Sequence, residues 1–173
     1  MKHRKTLIMS LLLGPALAGC QFSFSAGGLD YEKLENAITS ELNKNYAAIS
    51  REVSAVECPR PSQAPTTGDT FICNADVDGH NVRVEATVTD DDHNVDFKTR
   101  DVAYDLSDTG NALSQSLSDE YGFAVTVGCG AGLHVVEAGH SFECTATDPG
   151  GDTRTVKVTA GAIGEDELWE VLE

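Results

Sequence analysis

From Tyr31 onward, the apolar residues Tyr31, Leu34, Ile38, Leu42, Tyr46 and Ile49 recur at steps of three or four, with Glu32, Lys33, Glu35, Asn36 and Asn43 opposite them. That spacing predicts an amphipathic helix whose apolar stripe must be covered. Asp30 is placed to accept from the free N–H groups of the first turn, and Leu29 to pack on Leu34. After this the period falls to two. Val53 to Glu57 reads as a strand leading into Cys58, and Pro59 to Thr67 as a proline-rich loop. Phe71, Cys73, Ala75 and Val77 alternate with more polar neighbours, and Val82, Val84, Ala86 and Val88 do so against Arg83, Glu85, Thr87 and Thr89. Asp78-Gly79-His80-Asn81 predicts the hairpin turn between them. Val95 and Phe97 mark a fourth strand beyond the Asp90-Asp91-Asp92-His93-Asn94 turn.

The same order of signals follows a second time. Ser107 or Asp108 caps a shorter helix with Ala112, Leu113, Leu117 and Tyr121 inward and Gly122 at its end. Phe123, Val125 and Val127 lead into Cys129, then come Phe142, Cys144 and Ala146, then Val156 and Val158. Leu168 to Leu172 closes the sheet, with Trp169 or Leu168 inward. The predicted fold class is therefore α+β, as two tandem modules at 29–100 and 105–173, each one helix packed on a roughly four-stranded antiparallel sheet. The boundary falls near Thr99 to Asp105.

Spacing of the cysteines supports duplication. Cys58 and Cys73 are 15 apart, Cys129 and Cys144 are 15 apart, and both members shift by 71 between copies. Val56 and Val127, Gly68 and Gly139, Phe71 and Phe142, and Ala75 and Ala146 keep that offset. One inserted residue then makes it 72, aligning Gly79 with Gly151, Val84 with Val156 and Ala86 with Val158. Four cysteines allow three pairings. Copies of a self-sufficient unit each close on themselves, which selects Cys58 with Cys73 and Cys129 with Cys144. Metal binding by these thiols fits poorly, because no CxxC pair occurs.

The fifth cysteine belongs to the N-terminus. Lys2, Arg4 and Lys5 precede an apolar run from Leu7 to Leu13, and small residues follow up to Cys20, the layout of an export signal over 1–19. The run is too short to span a bilayer. Leu17-Ala18-Gly19-Cys20 resembles the lipobox of bacterial lipoproteins. That resemblance implies that Cys20 receives a diacylglyceryl thioether, becomes the first residue of the mature protein, and is held by acyl chains such as palmitate on the extracytoplasmic face of the cell membrane. Residues 20–28 are then a lipidated tether. Cleavage would remove three of the twelve Lys and Arg and none of the twenty-eight Asp and Glu, taking the net charge from −16 to −19. Such a surface repels nucleic acid, so no nucleic-acid partner is expected.

Cys58-Pro59, the segment from Gly68 to Gly79 (GDTFICNADVDG) and the segment from Val82 to Asp90 (VRVEATVTD) resemble the domain-of-unknown-function family DUF4333, found largely in actinobacterial lipoproteins and secreted proteins. The segment Gly139 to Thr147 (GHSFECTAT) carries the likeness into the second copy, which departs at Gly130 where the first has Pro59, predicting a looser loop. The resemblance implies a helix followed by a disulfide-closed sheet and carries no activity.

Candidate chemistry is sparse. Gly128-Cys129-Gly130-Ala131-Gly132 lacks the lysine and spacing of a phosphate loop. His80, His93, His134 and His140 do not occupy equivalent positions in the two copies. Asp76, Asp78, Asp90, Asp91, Asp92 and Asn94 are oxygen ligands of the kind calcium takes, but they lack the twelve-residue loop ending in glutamate and are also ordinary turn formers. No catalytic residue, cofactor or metal is assigned. The expectation is an envelope-displayed, non-enzymatic binding or structural protein, anchored to the membrane, whose partner is an envelope protein or cell-wall ligand met by the acidic outer sheet face and the Pro59 to Thr67 loop. The alternative is a protein inhibitor or regulator of an envelope enzyme, on an arrangement similar to the secreted β-lactamase inhibitory proteins.

Overall fold

The computed structural model describes residues 28–161 and 165–172. The expected signal and nearly all of the tether, including Cys20, lie outside them. The described chain divides into two compact units, 28–101 and 102–172. Its class is mixed α+β, with two long helices and antiparallel sheets.

In the first unit, α1 (Tyr31–Tyr46) starts at Asp30, whose side chain accepts from the Lys33 N–H at 3.1 Å. Its stripe buries Leu34, Ala37, Ile38, Leu42 and Tyr46. Strands β1 (Val53–Glu57), β2 (Thr70–Val77), β3 (His80–Val88) and β4 (Val95–Thr99) form one sheet in the order β1-β2-β3-β4. Val77 pairs with His80, so the turn reduces to Asp78 and Gly79, with φ of 51° and 79°. Two consecutive positive φ values suit the right-handed twist of a tight hairpin, and Asp-Gly supplies them at least cost. The alternating residues Cys73, Ala75, Val77, Val82, Val84, Ala86 and Val88 are buried.

The second unit opens on β5 (Asp101–Asp105), whose first residue belongs to the first unit, and α2 (Leu106–Tyr121). It continues through β6 (Thr126–Gly128), β7 (Leu133–Glu137), β8 (Ser141–Thr147), β9 (Thr153–Thr159) and β10 (Leu168–Leu172). Its main sheet has the order β10-β9-β8-β6, which matches β4-β3-β2-β1 strand for strand. The register matches as well: Cys73 faces Val84 and Cys144 faces Val156, while Ala86 faces Phe97 and Val158 faces Trp169. Leu113 and Leu117 of α2 share one core with Val125, Val127, Cys144, Ala146, Val156, Val158 and Trp169.

Several details differ from the sequence expectation, and the open choice between Trp169 and Leu168 is decided. The cap of α2 is Asp105, which accepts from Ser107 and Asp108 rather than being replaced by them, and α2 equals α1 at 16 residues. Tyr121 and Ala112 face outward, and Gly110 takes an inward place. Trp169 is the inward residue of β10 and Leu168 is exposed. The segment read as a boundary is largely β5, which pairs with the unforeseen β7 in a separate two-stranded sheet. Its inward positions are Asp101, Ala103 and Asp105, so carboxylates stand where an apolar alternation would have revealed a strand.

Candidate binding site

Each copy closes its own loop: Cys58 is bonded to Cys73 and Cys129 to Cys144. The bridge fastens the strand before the loop to the second residue beyond Phe71 or Phe142, so both ends of the loop are fixed on the sheet. In the first copy the loop itself is ordered by short-range bonds. The Asp69 carboxylate accepts from the Thr66 N–H at 2.7 Å and from its hydroxyl at 3.0 Å. These bonds hold the Asp69 carboxyl below the usual carboxylate range. Gly68, at φ 92°, donates to Val88 O at 2.8 Å, tying the loop's far end to β3.

The loop encloses an open cleft of about 540 Å³, walled by Pro59, Pro61, Pro65 and Phe71 and edged by Arg60 and Asp69. That volume lies within the range of small-ligand sites. Arg60 is held from three sides: Glu35 Oε2 at 3.0 Å from Nη2, the Cys58 carbonyl at 3.2 Å from Nη1, and the Tyr31 ring with its centroid 5.4 Å from Cζ. Tyr31 in turn lies 6.1 Å from the Phe71 ring, centroid to centroid. The guanidinium is thus preorganised beside apolar walls, and its side chain keeps 58% of its surface in water.

The second copy keeps the aromatic centre and builds a strand into the loop. Phe142 meets Tyr104 and His134, each at 5.2 Å. His134 lies on β7, inside the loop that Cys129 and Cys144 close, so that loop is a paired strand rather than a loosened one. Gly130 has a reason of its own: a Cβ there would stand 3.2 Å from Leu106 Cδ1, and its φ is 106°. Burial raises the Glu167 carboxyl above its ordinary value, against the lowering effect of the Tyr104 hydroxyl.

The remaining candidates separate. Asp90 accepts from the backbone of Asp92 and Asn94 and from the Asn94 amide, and Asp76 accepts from Ser54 and from the Gly79 N–H. These carboxylates satisfy their own turns. Among the described residues no three His, Cys, Asp or Glu side chains gather as a metal site would require. His80 opens β3, His93 sits in a turn at φ 60°, and His140 is exposed. On the outer face of the first sheet part of the acidic charge is paired: Lys98 and Arg100 lie 3.2 Å each from Glu85, and Arg83 pairs with Asp101. Sequence reasoning passed over Glu35 and Asn43 as solvated helix positions. Glu35 in fact accepts from the Cys58 N–H at 2.9 Å and Asn43 from the Val53 N–H at 2.7 Å.

Compared with known proteins, the chain matches the model of one family, the domain of unknown function DUF4333, over residues 15–93 and again over 101–162. The chain belongs to this family. Its two copies fall one on each repeat of sheet register, ending before β4 and before β10, and the second match opens on β5. No curated protein and no solved structure matches the chain. Among the described residues no helix is long and apolar enough to cross a membrane. Within this DUF4333 pair, the cleft of the first copy combines apolar walls with a guanidinium held at its rim by Glu35.

Proposed function

We propose that this DUF4333 protein is a lipid-anchored envelope protein that binds its partner through the first copy's loop cleft, without catalysis. The observation that carries the reading is the cleft itself: proline rings and Phe71 form its walls, and Arg60 stands at its rim in contact with Glu35 and Tyr31. A preorganised guanidinium beside apolar walls recognises an acceptor-bearing ligand at low entropic cost. The anchor rests on Leu17-Ala18-Gly19-Cys20. It is supported by a family match that begins at residue 15 and so includes Cys20. In this reading each module is a helix packed on its sheet, and the loop of the second copy is taken up by β7.

Two measurements test it. Cys20→Ser should move the protein from the membrane pellet to the soluble fraction and remove the acyl mass from the N-terminal peptide; membrane retention with no acyl mass in the unaltered protein sinks the anchor. Affinity capture from intact envelope with Phe71→Ser and Arg60→Ala should lose the species that the unaltered protein retains. Identical capture by all three, or turnover of an envelope substrate, removes the binding role from the cleft.

A further inference from the structure

The two helices are built alike, at 16 residues each behind an aspartate cap and each ending on tyrosine, yet their ends differ. Tyr46 of α1 is 3% exposed and Lys44 stands in the last turn. Tyr121 of α2 is 48% exposed, and its ring stacks on that of Phe123, itself 46% exposed, at 5.8 Å and 18°. The last turn of α2 has no basic residue, and Asp119 and Glu120 occupy it. A helix C-terminus is the negative end of its dipole, so carboxylates there are unfavourable. An exposed aromatic pair is unfavourable in water for a separate reason, the apolar surface it leaves uncovered. Both costs fall on one turn of the second copy and are missing from the matching turn of the first.

We propose that the exposed end of α2 is a docking surface for an arginine-rich segment of a partner protein. A guanidinium relieves both costs together: it stacks on an aromatic face, pairs with carboxylates through its planar fork, and is weakly hydrated. Charge complementarity chooses this occupant over a neutral or anionic one. Residues 102–173 carry thirteen Asp and Glu against two basic residues, Arg154 and Lys157, whereas residues 28–101 carry fifteen against seven. The surface shares no residue with the loop cleft of the first copy.

The test is titration of a nona-arginine peptide into the purified protein near 0.15 M salt, compared with Tyr121→Ser/Phe123→Ser, which leaves every charge in place. The double variant should bind about tenfold more weakly, the loss expected when stacked guanidinium contacts worth about one decade are removed. Asp119→Asn/Glu120→Gln should weaken binding as well. Equal affinity of the aromatic variant and the unaltered protein would show attraction by bulk charge alone and overturn the proposal. Should the variant fail to fold, NMR of the unaltered protein decides. Shifts at Tyr121 and Phe123 support the surface, and shifts confined to the acidic turns at 90–92 and 165–167 overturn it. A neutral oligosaccharide that moves the two aromatic resonances while the arginine peptide leaves them unmoved also overturns it.

Discussion

At the scale of single residues, two positions show how local chemistry overrides type. Gly110 lies inside α2, where glycine costs about 1 kcal/mol relative to alanine. It is retained because the helix crosses β6 there: a Cβ would stand 2.8 Å from the Val127 carbonyl oxygen, a backbone atom unable to swing aside. Gly110→Ala should therefore destabilise the second unit by about 1–3 kcal/mol despite its better helix propensity. A urea midpoint that rises instead would show that the contact relaxes freely. Asp101 is buried, which opposes its ionisation, but the Arg83 guanidinium and N–H together outweigh burial and hold the carboxyl below its usual range. Its folded value lies under the unfolded one, so its stabilisation is complete above about pH 4 and is lost as pH falls through the folded value. Glu167 is displaced the other way, so its cost at neutral pH disappears as pH falls through its raised value. Stability measured by urea unfolding should rise from pH 7 into the mildly acidic range and drop below about pH 4. Glu167→Gln should flatten the rise and Asp101→Asn the drop. Stability that stays flat across the whole range from pH 7 to pH 3, with neither the rise nor the drop, would contradict the assignment of both groups.

At the scale of elements, each helix is fastened to the edge strand beside it by side-chain acceptors. In the first copy Glu35 and Asn43 take the N–H groups of Cys58 and Val53. In the second, Ser114 and Ser118 Oγ take those of Val127 and Val125, both at 2.8 Å. The chemistry has changed from long polar side chains to serines, and the closer approach at Gly110 is what lets the short hydroxyls reach. Edge strands with free N–H groups invite pairing with other chains, and these bonds also blunt that edge. Asn43→Ala and Ser114→Ala should each cost about 1–3 kcal/mol, the range for a partly buried donor left unmade, as read in thermal or urea melts. A change within error would mean that water replaces the lost acceptor. The pattern of the chain made α1, the hairpin of β2 and β3, and the final strand legible, because Leu34, Ile38, Val82, Val84 and Trp169 sit where periodicity puts them. β5 and β7 were not legible, one because Asp101 and Asp105 fill inward positions, the other because all five residues from Leu133 to Glu137 are half-buried and show no alternation. The cleft was legible as a loop but not as a site. Its cation is fixed by Glu35 and Tyr31, which come from a helix more than twenty residues earlier, and no local pattern encodes that meeting.

At the scale of the whole molecule, duplication has preserved the framework and released the surfaces. Strand order, register, the bridge, and the glycines that enter β2 and β8 are shared: Gly68 donates to Val88 O at 2.8 Å and Gly139 to Ala160 O at 2.7 Å. The loops and helix ends are where the copies part, one loop open around Arg60 and the other filled by β7. A framework repeated with its own bridge in each copy predicts that the units lose stability separately. Closing a loop of 15 residues stabilises by about 3 kcal/mol on the chain-entropy account. For a unit of some 70 residues with a small core, that is a large fraction of the whole. Cys58→Ala/Cys73→Ala should therefore raise amide hydrogen exchange across residues 28–101 and leave the protection of the Leu113, Leu117, Val156 and Val158 core nearly unchanged; Cys129→Ala/Cys144→Ala should do the reverse. The core cluster of the second unit draws its residues from that unit and each bridge closes within one unit, so the bridges give the effect no covalent route into the other unit besides the peptide bond at 101–102. Equal loss of protection in both units from either pair of substitutions would show one cooperative fold in place of two, and the modular account of this chain would fall with it.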